Sequence, residues 1–103
     1  MPVKLKEQSG PVIYKYVLSR KPGLQKVKMP AELGPFQLEI LSFGVAPGRE
    51  LAIWAVVQPS SAEQDRGIFL AMTGEAPPAG EARFIGAVND SGYMIHCWDL
   101  GWK

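Results

Sequence analysis

Leu51-Ala52-Ile53-Trp54-Ala55-Val56-Val57 is seven residues of unbroken apolar character. Its β-branched and aromatic content suits a strand, and successive side chains of a strand point to opposite faces. Apolar on both faces, this strand has to be covered on both, which places it inside a sheet and not at an edge. Ile68-Phe69-Leu70-Ala71-Met72 reads in the same way. Two strands of this kind require a second layer of structure.

Working outward, about seven short segments of this composition are separated by turn-forming clusters, the spacing of an all-β domain. Upstream of Leu51, Pro47-Gly48 makes a turn, and Phe36 to Val45 forms a strand whose alternation changes phase. Phe36, Leu38 and Ile40 share one face, and then Leu41, Phe43 and Val45 take over, which signals a bulge or a crossing between sheets. Val12 to Leu18 and the weaker Leu24 to Met29 come earlier, joined by a Pro22-Gly23 turn, and residues 30–35 connect onward with room for one helical turn. Ser60 and Glu63 have capping-box spacing, so 59–65 is expected to hold one turn of helix. Arg83 to Val88 and Gly92 to Asp99 form a final hairpin about Asn89-Asp90-Ser91-Gly92. Short connections predict that successive strands pair antiparallel as a meander. The expected architecture is a small sandwich or a flattened barrel of about seven antiparallel strands. Residues 1–11 are expected to be a flexible N-terminal segment, and 12–103 one all-β domain.

Composition bounds the function classes. The chain has 103 residues, 47% of them apolar and 20% charged, which is the balance of a packed globule. A single cysteine excludes an intrachain disulfide framework and suits a reducing compartment. No apolar stretch follows Lys4 and Lys6, so no secretory leader is expected. No run approaches the roughly 20 apolar residues of a membrane helix, and a cytoplasmic location with no membrane contact is expected. Charge is polarised along the chain: residues 1–28 carry seven basic groups against Glu7, and the remainder carries four against nine acidic ones.

Ile13-Tyr14-Lys15-Tyr16, Trp54-Ala55-Val56-Val57-Gln58-Pro59, Phe69 to Gly74, Phe84-Ile85-Gly86 and Ile95-His96-Cys97-Trp98 follow one another over residues 12–99. In that order they resemble a family of small proteins of phages and bacteria known only as a domain of unknown function. Gln58 stands where members of that family tend to have Asp before the proline. The resemblance implies a phage-related origin and supplies no activity.

The candidate chemistry is sparse. His96 is the one imidazole, a possible acid–base residue, and Cys97 beside it is the one thiol. On a strand these neighbours point to opposite faces, so they cannot form a dyad. Cys97 shares its face with Ile95 and Tyr93 and reads as a buried inert thiol; His96 reads as a satisfied polar residue of the other face. The carboxylates form no constellation for hydrolysis or for a metal, and no glycine-rich phosphate loop precedes a helix. No enzyme activity, no cofactor and no metal are expected. Lys15, Lys26 and Lys28 suggest a basic N-terminal hairpin, which with Tyr14 and Tyr16 would suit a nucleic-acid-binding barrel. Against that, the tyrosines face away from Lys15, and lysines also protect edge strands from aggregation. The favoured class is protein–protein interaction with a host or phage protein, with Trp102 and the basic hairpin as contacts. The loops at 58–66 and 74–82 are acidic, so pairing between copies as a homodimer is a further expectation.

Overall fold

The computed structural model describes residues 10–31 and 39–103. Seven strands account for about two thirds of them: β1 (Val12–Leu18), β2 (Gly23–Pro30), β3 (Glu39–Val45), β4 (Leu51–Val57), β5 (Glu63–Met72), β6 (Arg83–Asp90) and β7 (Tyr93–Trp102). Every pairing is antiparallel. One sheet has the order β1-β4-β3 and the other β2-β5-β7-β6, so the all-β expectation resolves into a two-layer sandwich and not a closed barrel. No helix occurs among the described residues. The expected flexible segment falls mostly on residues 1–9, and Phe36 and Leu38 and most of the 30–35 connection also lie outside the described residues; Pro30 itself ends β2.

Leu51–Val57 is the central strand of the three-stranded sheet, as its composition demands. Leu51, Ile53, Ala55 and Val57 point into the sandwich with no accessible surface. Ile68 and Leu70 of β5 face them, with Ile95 and Cys97 of β7 and Met29 of β2. Each Val, Leu, Ile or Met side chain so removed from water contributes about 1.5–3 kcal/mol. Among the outward residues of these strands the small Ala52 and Ala71 are buried, but the large ones are covered less than their apolar character suggested. Trp54, Val56 and Phe69 are half-buried, screened by neighbours in their own sheet and not by a third layer.

The meander holds only locally. β3 pairs with β4 and β6 with β7, but β1 pairs with β4 and β2 with β5. The reason lies at the Pro22-Gly23 corner. Instead of closing a hairpin, residues 19–22 carry the chain from one layer to the other. The Gln25 side chain stands in for the missing strand: its Oε1 accepts from Ser19 N–H and its Nε2 donates to Ser19 C=O, both at 2.9 Å. The basic hairpin expected from β1 and β2 therefore does not form.

Other local readings divide in the same way. The phase change in the third strand is a bulge, with the register shifting between Ile40 and Ser42 so that Ile40 and Phe43 are both buried. The final hairpin closes through Ser91 and Gly92, with φ of 54° and 90°, the type I′ geometry that matches strand twist. The helical turn expected at 59–65 is absent. Ser61 N–H donates to Gln58 C=O in a tight turn, and Glu63 already begins β5. Register with β2, including Lys28 opposite Asp65, draws 63–67 into the sheet and overrides the capping-box pattern.

Candidate functional site

The outward face of the four-stranded sheet carries a row of one large apolar residue from each strand. Leu24 of β2 lies opposite Phe69 of β5, Phe69 opposite Trp98 of β7, and Trp98 opposite Phe84 of β6. Phe69 and Trp98 are outward because their chain neighbours Ile68, Leu70 and Cys97 fill the core, and Leu24 and Phe84 follow from register with them. Trp98 packs edge-on to both phenylalanines, with ring centroids 5.5 Å away at Phe84 and 6.2 Å at Phe69. Leu24 and Phe84 are each 53% exposed, and Met94 of β7 adds to the same face. A folded domain rarely leaves a contiguous apolar patch open to water without use for it.

Polar groups flank this row on both sides along the strands. One flank has Lys26 opposite Gly67, and Lys28 opposite Asp65. The Lys103 stem lies over Gly67, where an added Cβ would meet it at 2.9 Å. Lys28 is ion-paired to Asp65 at 2.9 Å. On the other flank, His96 Nε2 and Thr73 Oγ1 are 3.2 Å apart. Here the β5–β6 connection rises to form a cleft of about 270 Å³ lined by Ala71, Met72, Thr73, Glu75, His96 and Trp98 among others.

The outward face of the other sheet differs. Ile13 and Val17 are exposed there, but Lys15 stands between them and Glu39 and Ser42 occupy the far strand. A polar depression of about 590 Å³ also opens at the end of the sandwich, lined by Arg66, Glu81, Arg83 and Asp99. Two of its charged groups, Arg66 and Asp99, serve the fold. Arg66 donates to both Asp99 oxygens, at 2.9 and 2.8 Å, and Gly101 N–H donates to Asp99 at 2.9 Å. Burial alone would raise the Asp99 carboxyl; these hydrogen bonds and the charges of Arg66 and Arg83 outweigh it and hold it below the usual carboxylate range.

The four residues singled out from sequence are scattered. Lys15 is on the outward face of the three-stranded sheet, paired to Glu50 at 3.2 Å. Lys26 and Lys28 lie on the opposite side of the molecule. Trp102 is the last residue of β7 and docks back onto the domain, its ring 4.5 Å from the Arg66 guanidinium. His96 and Cys97 do point to opposite faces. Cys97 has no accessible surface, and burial, with the nearby Asp99 charge, pushes its thiol up to about 12. The aromatic row is hidden in the sequence because Ile68-Phe69-Leu70-Ala71-Met72 reads as a doubly covered strand. The signal was present in the outward positions of the last two strands, where Phe84 and Trp98 sit at matching places in a hairpin.

Among the described residues no group of His, Cys, Asp or Glu is arranged to hold a metal ion, and no helix is long and apolar enough to cross a membrane. A family model described as a domain of unknown function (DUF7352) matches residues 10–101, and the chain belongs to that family. No curated protein and no solved structure matches the chain.

Proposed function

We propose that this member of an uncharacterised family is a non-catalytic binding module that engages a protein partner through the outward face of β2-β5-β7-β6. The observation that carries the reading is the Leu24–Phe69–Trp98–Phe84 row, continuous across all four strands and open at both ends. Aromatic side chains on a rigid sheet bind at low entropic cost, and Trp is enriched among residues that dominate interface energies. The edge-on tiling of Trp98 against its neighbours gives an apolar, faceted surface of the kind protein interfaces bury at their centres. The proposed role is that of a cytoplasmic, phage-related accessory protein, the origin resting on the sequence resemblance alone.

Nucleic acid is the second reading, favoured by one observation: Lys26 and Lys28 share this face with the aromatic row. Its weakness is charge, since Asp65 already pairs with Lys28 and Glu63 lies on the same face. A homodimer held by opposite charges has less support, because Lys15 and Lys28 find carboxylates within one copy.

The test is capture of partners by the full chain from a host lysate after nuclease treatment, compared across variants. The reading expects a partner retained after nuclease, lost with Phe84→Asp and Leu24→Asp, and kept with Ile13→Asp on the opposite face. Capture indifferent to Phe84 and Leu24 overturns it. Capture that vanishes with nuclease and with Lys26→Glu transfers the surface to nucleic acid.

A further inference from the structure

The cleft at the His96 end of the aromatic row has the chemistry of a cation site. Its wall is Trp98, whose indole face is the strongest aromatic partner for a cation. Its rim includes Glu75, and that carboxylate is fixed in place: Oε1 accepts from Met72 N–H at 2.7 Å, while Glu75 N–H donates to Met72 C=O at 2.9 Å. A carboxylate with one oxygen so engaged keeps acceptor capacity on the other. Ala71 and Pro77 supply apolar surface beside these groups. At about 270 Å³ the space is smaller than the roughly 300–1,000 Å³ of a small-molecule site. It is the size for a single long side chain.

We propose that this cleft receives an arginine side chain of the protein partner, its guanidinium against Trp98 and Glu75 and its methylenes along Ala71 and Pro77. Arginine is preferred to lysine because its planar, weakly hydrated head stacks on an indole and forks to a carboxylate at once. The inference rests on the proposed function in that it names the residue a protein partner would place beside the aromatic row. It also gives the face a direction. Lys26 and the Lys103 stem flank the row at the Gly67 end and Glu75 at the Thr73 end, so a bound segment would lie with its basic residue toward the β5–β6 connection.

The experiment needs no knowledge of the partner. The full chain is titrated with N-acetyl-arginine methylamide and separately with the citrulline compound, its neutral isostere, and amide and indole shifts are followed by NMR. Saturable shifts confined to residues 71–75, His96 and Trp98 are expected with arginine, with the citrulline probe about two- to fivefold weaker, the ratio an exposed cation–π contact supports. Glu75→Gln, which keeps an acceptor for Met72 N–H, should weaken arginine and leave citrulline unchanged, with the melting temperature unaltered. Equal binding of the two probes, indifference to Glu75→Gln, or no saturable shift in the cleft overturns the proposal. Those results leave the capture experiment at Phe84 and Leu24 untouched, so the cleft and the wider surface fail separately.

Discussion

Replacing Asp99 by Asn isolates the most heavily buried ion pair among the described residues. The Arg66 and Asp99 side chains are 11% and 4% exposed and are joined by two hydrogen bonds. Asn keeps the size and one acceptor oxygen, but removes the Asp99 charge from beside a guanidinium that is only 11% exposed. Breaking a buried pair from one side costs about 3–5 kcal/mol. The lower end applies here, because the Trp102 ring still faces the guanidinium at 4.5 Å. About 3 kcal/mol is a large share of the roughly 5–15 kcal/mol that holds a domain of this size. With an unfolding entropy of about 2.1 cal/mol/K per residue, the same loss lowers Tm by about 14 °C. Urea unfolding at neutral pH measures the difference directly, with an unchanged m-value showing that the unfolded state is not responsible. The pH dependence supplies a second check. Asp99 is held below the usual carboxylate range, so the unfolded chain binds the proton more readily than the folded one. The wild-type advantage is therefore fully present above about pH 4 and shrinks as pH falls through the depressed folded value. Arg66→Met with Asp99→Leu, which removes both charges, should recover most of the loss. An Asp99→Asn protein within about 1 kcal/mol of wild type at neutral pH, or a gap that persists unchanged into acid, would refute the reasoning.

The Cys97 thiol, pushed up to about 12 by burial, should resist a disulfide reagent at pH 8 in the native protein and react only as the chain opens; a burst of labelling before unfolding contradicts this. The Tyr16 hydroxyl is buried with no hydrogen-bond partner among the described residues, and burial, then Tyr14 and Glu63, raise its pKa. Tyr16→Phe should thus be neutral or stabilise by up to about 1 kcal/mol, and a loss beyond that in thermal unfolding would expose a partner for the hydroxyl. Ser91 holds φ at 54°, where a side chain is strained, so Ser91→Gly should raise stability by about 0.5 kcal/mol and Ser91→Val lower it. Equal effects of the two substitutions on Tm would show that the turn does not depend on its left-handed geometry.

Strand identity was legible because it is written in local alternation. Leu51–Val57, the bulge after Ile40 and the Ser91-Gly92 hairpin depend on residues within a few positions of one another. Strand partnership was not, because it is decided by contacts distant in sequence. Nothing between Leu18 and Gly23 announces that the chain changes layer there; the decisive group is the amide of Gln25, an ordinary polar residue in a strand that alternates normally. The site suffered for the same reason. Lys15 and Lys26 look like one patch only if β1 and β2 pair. The aromatic row needs the register of four strands before it exists at all, and Leu24 joins Phe84 across a separation of 60 positions only through β5 and β7.

The corner at residues 19–22 has a consequence for how the molecule comes apart. β1 is an edge of one sheet and β2 an edge of the other, yet only a few residues of chain separate them. Peeling either edge strand pulls directly on the opposite layer, and Arg20, ion-paired to Asp90 at 2.6 Å, ties the same corner to the far edge strand β6. The corner thus acts as a clasp between the two sheets. Neither sheet can be cut out as a smaller folding unit, and both should assemble late and melt together, since β1 and β2 find their partners only after β4 and β5 have been made.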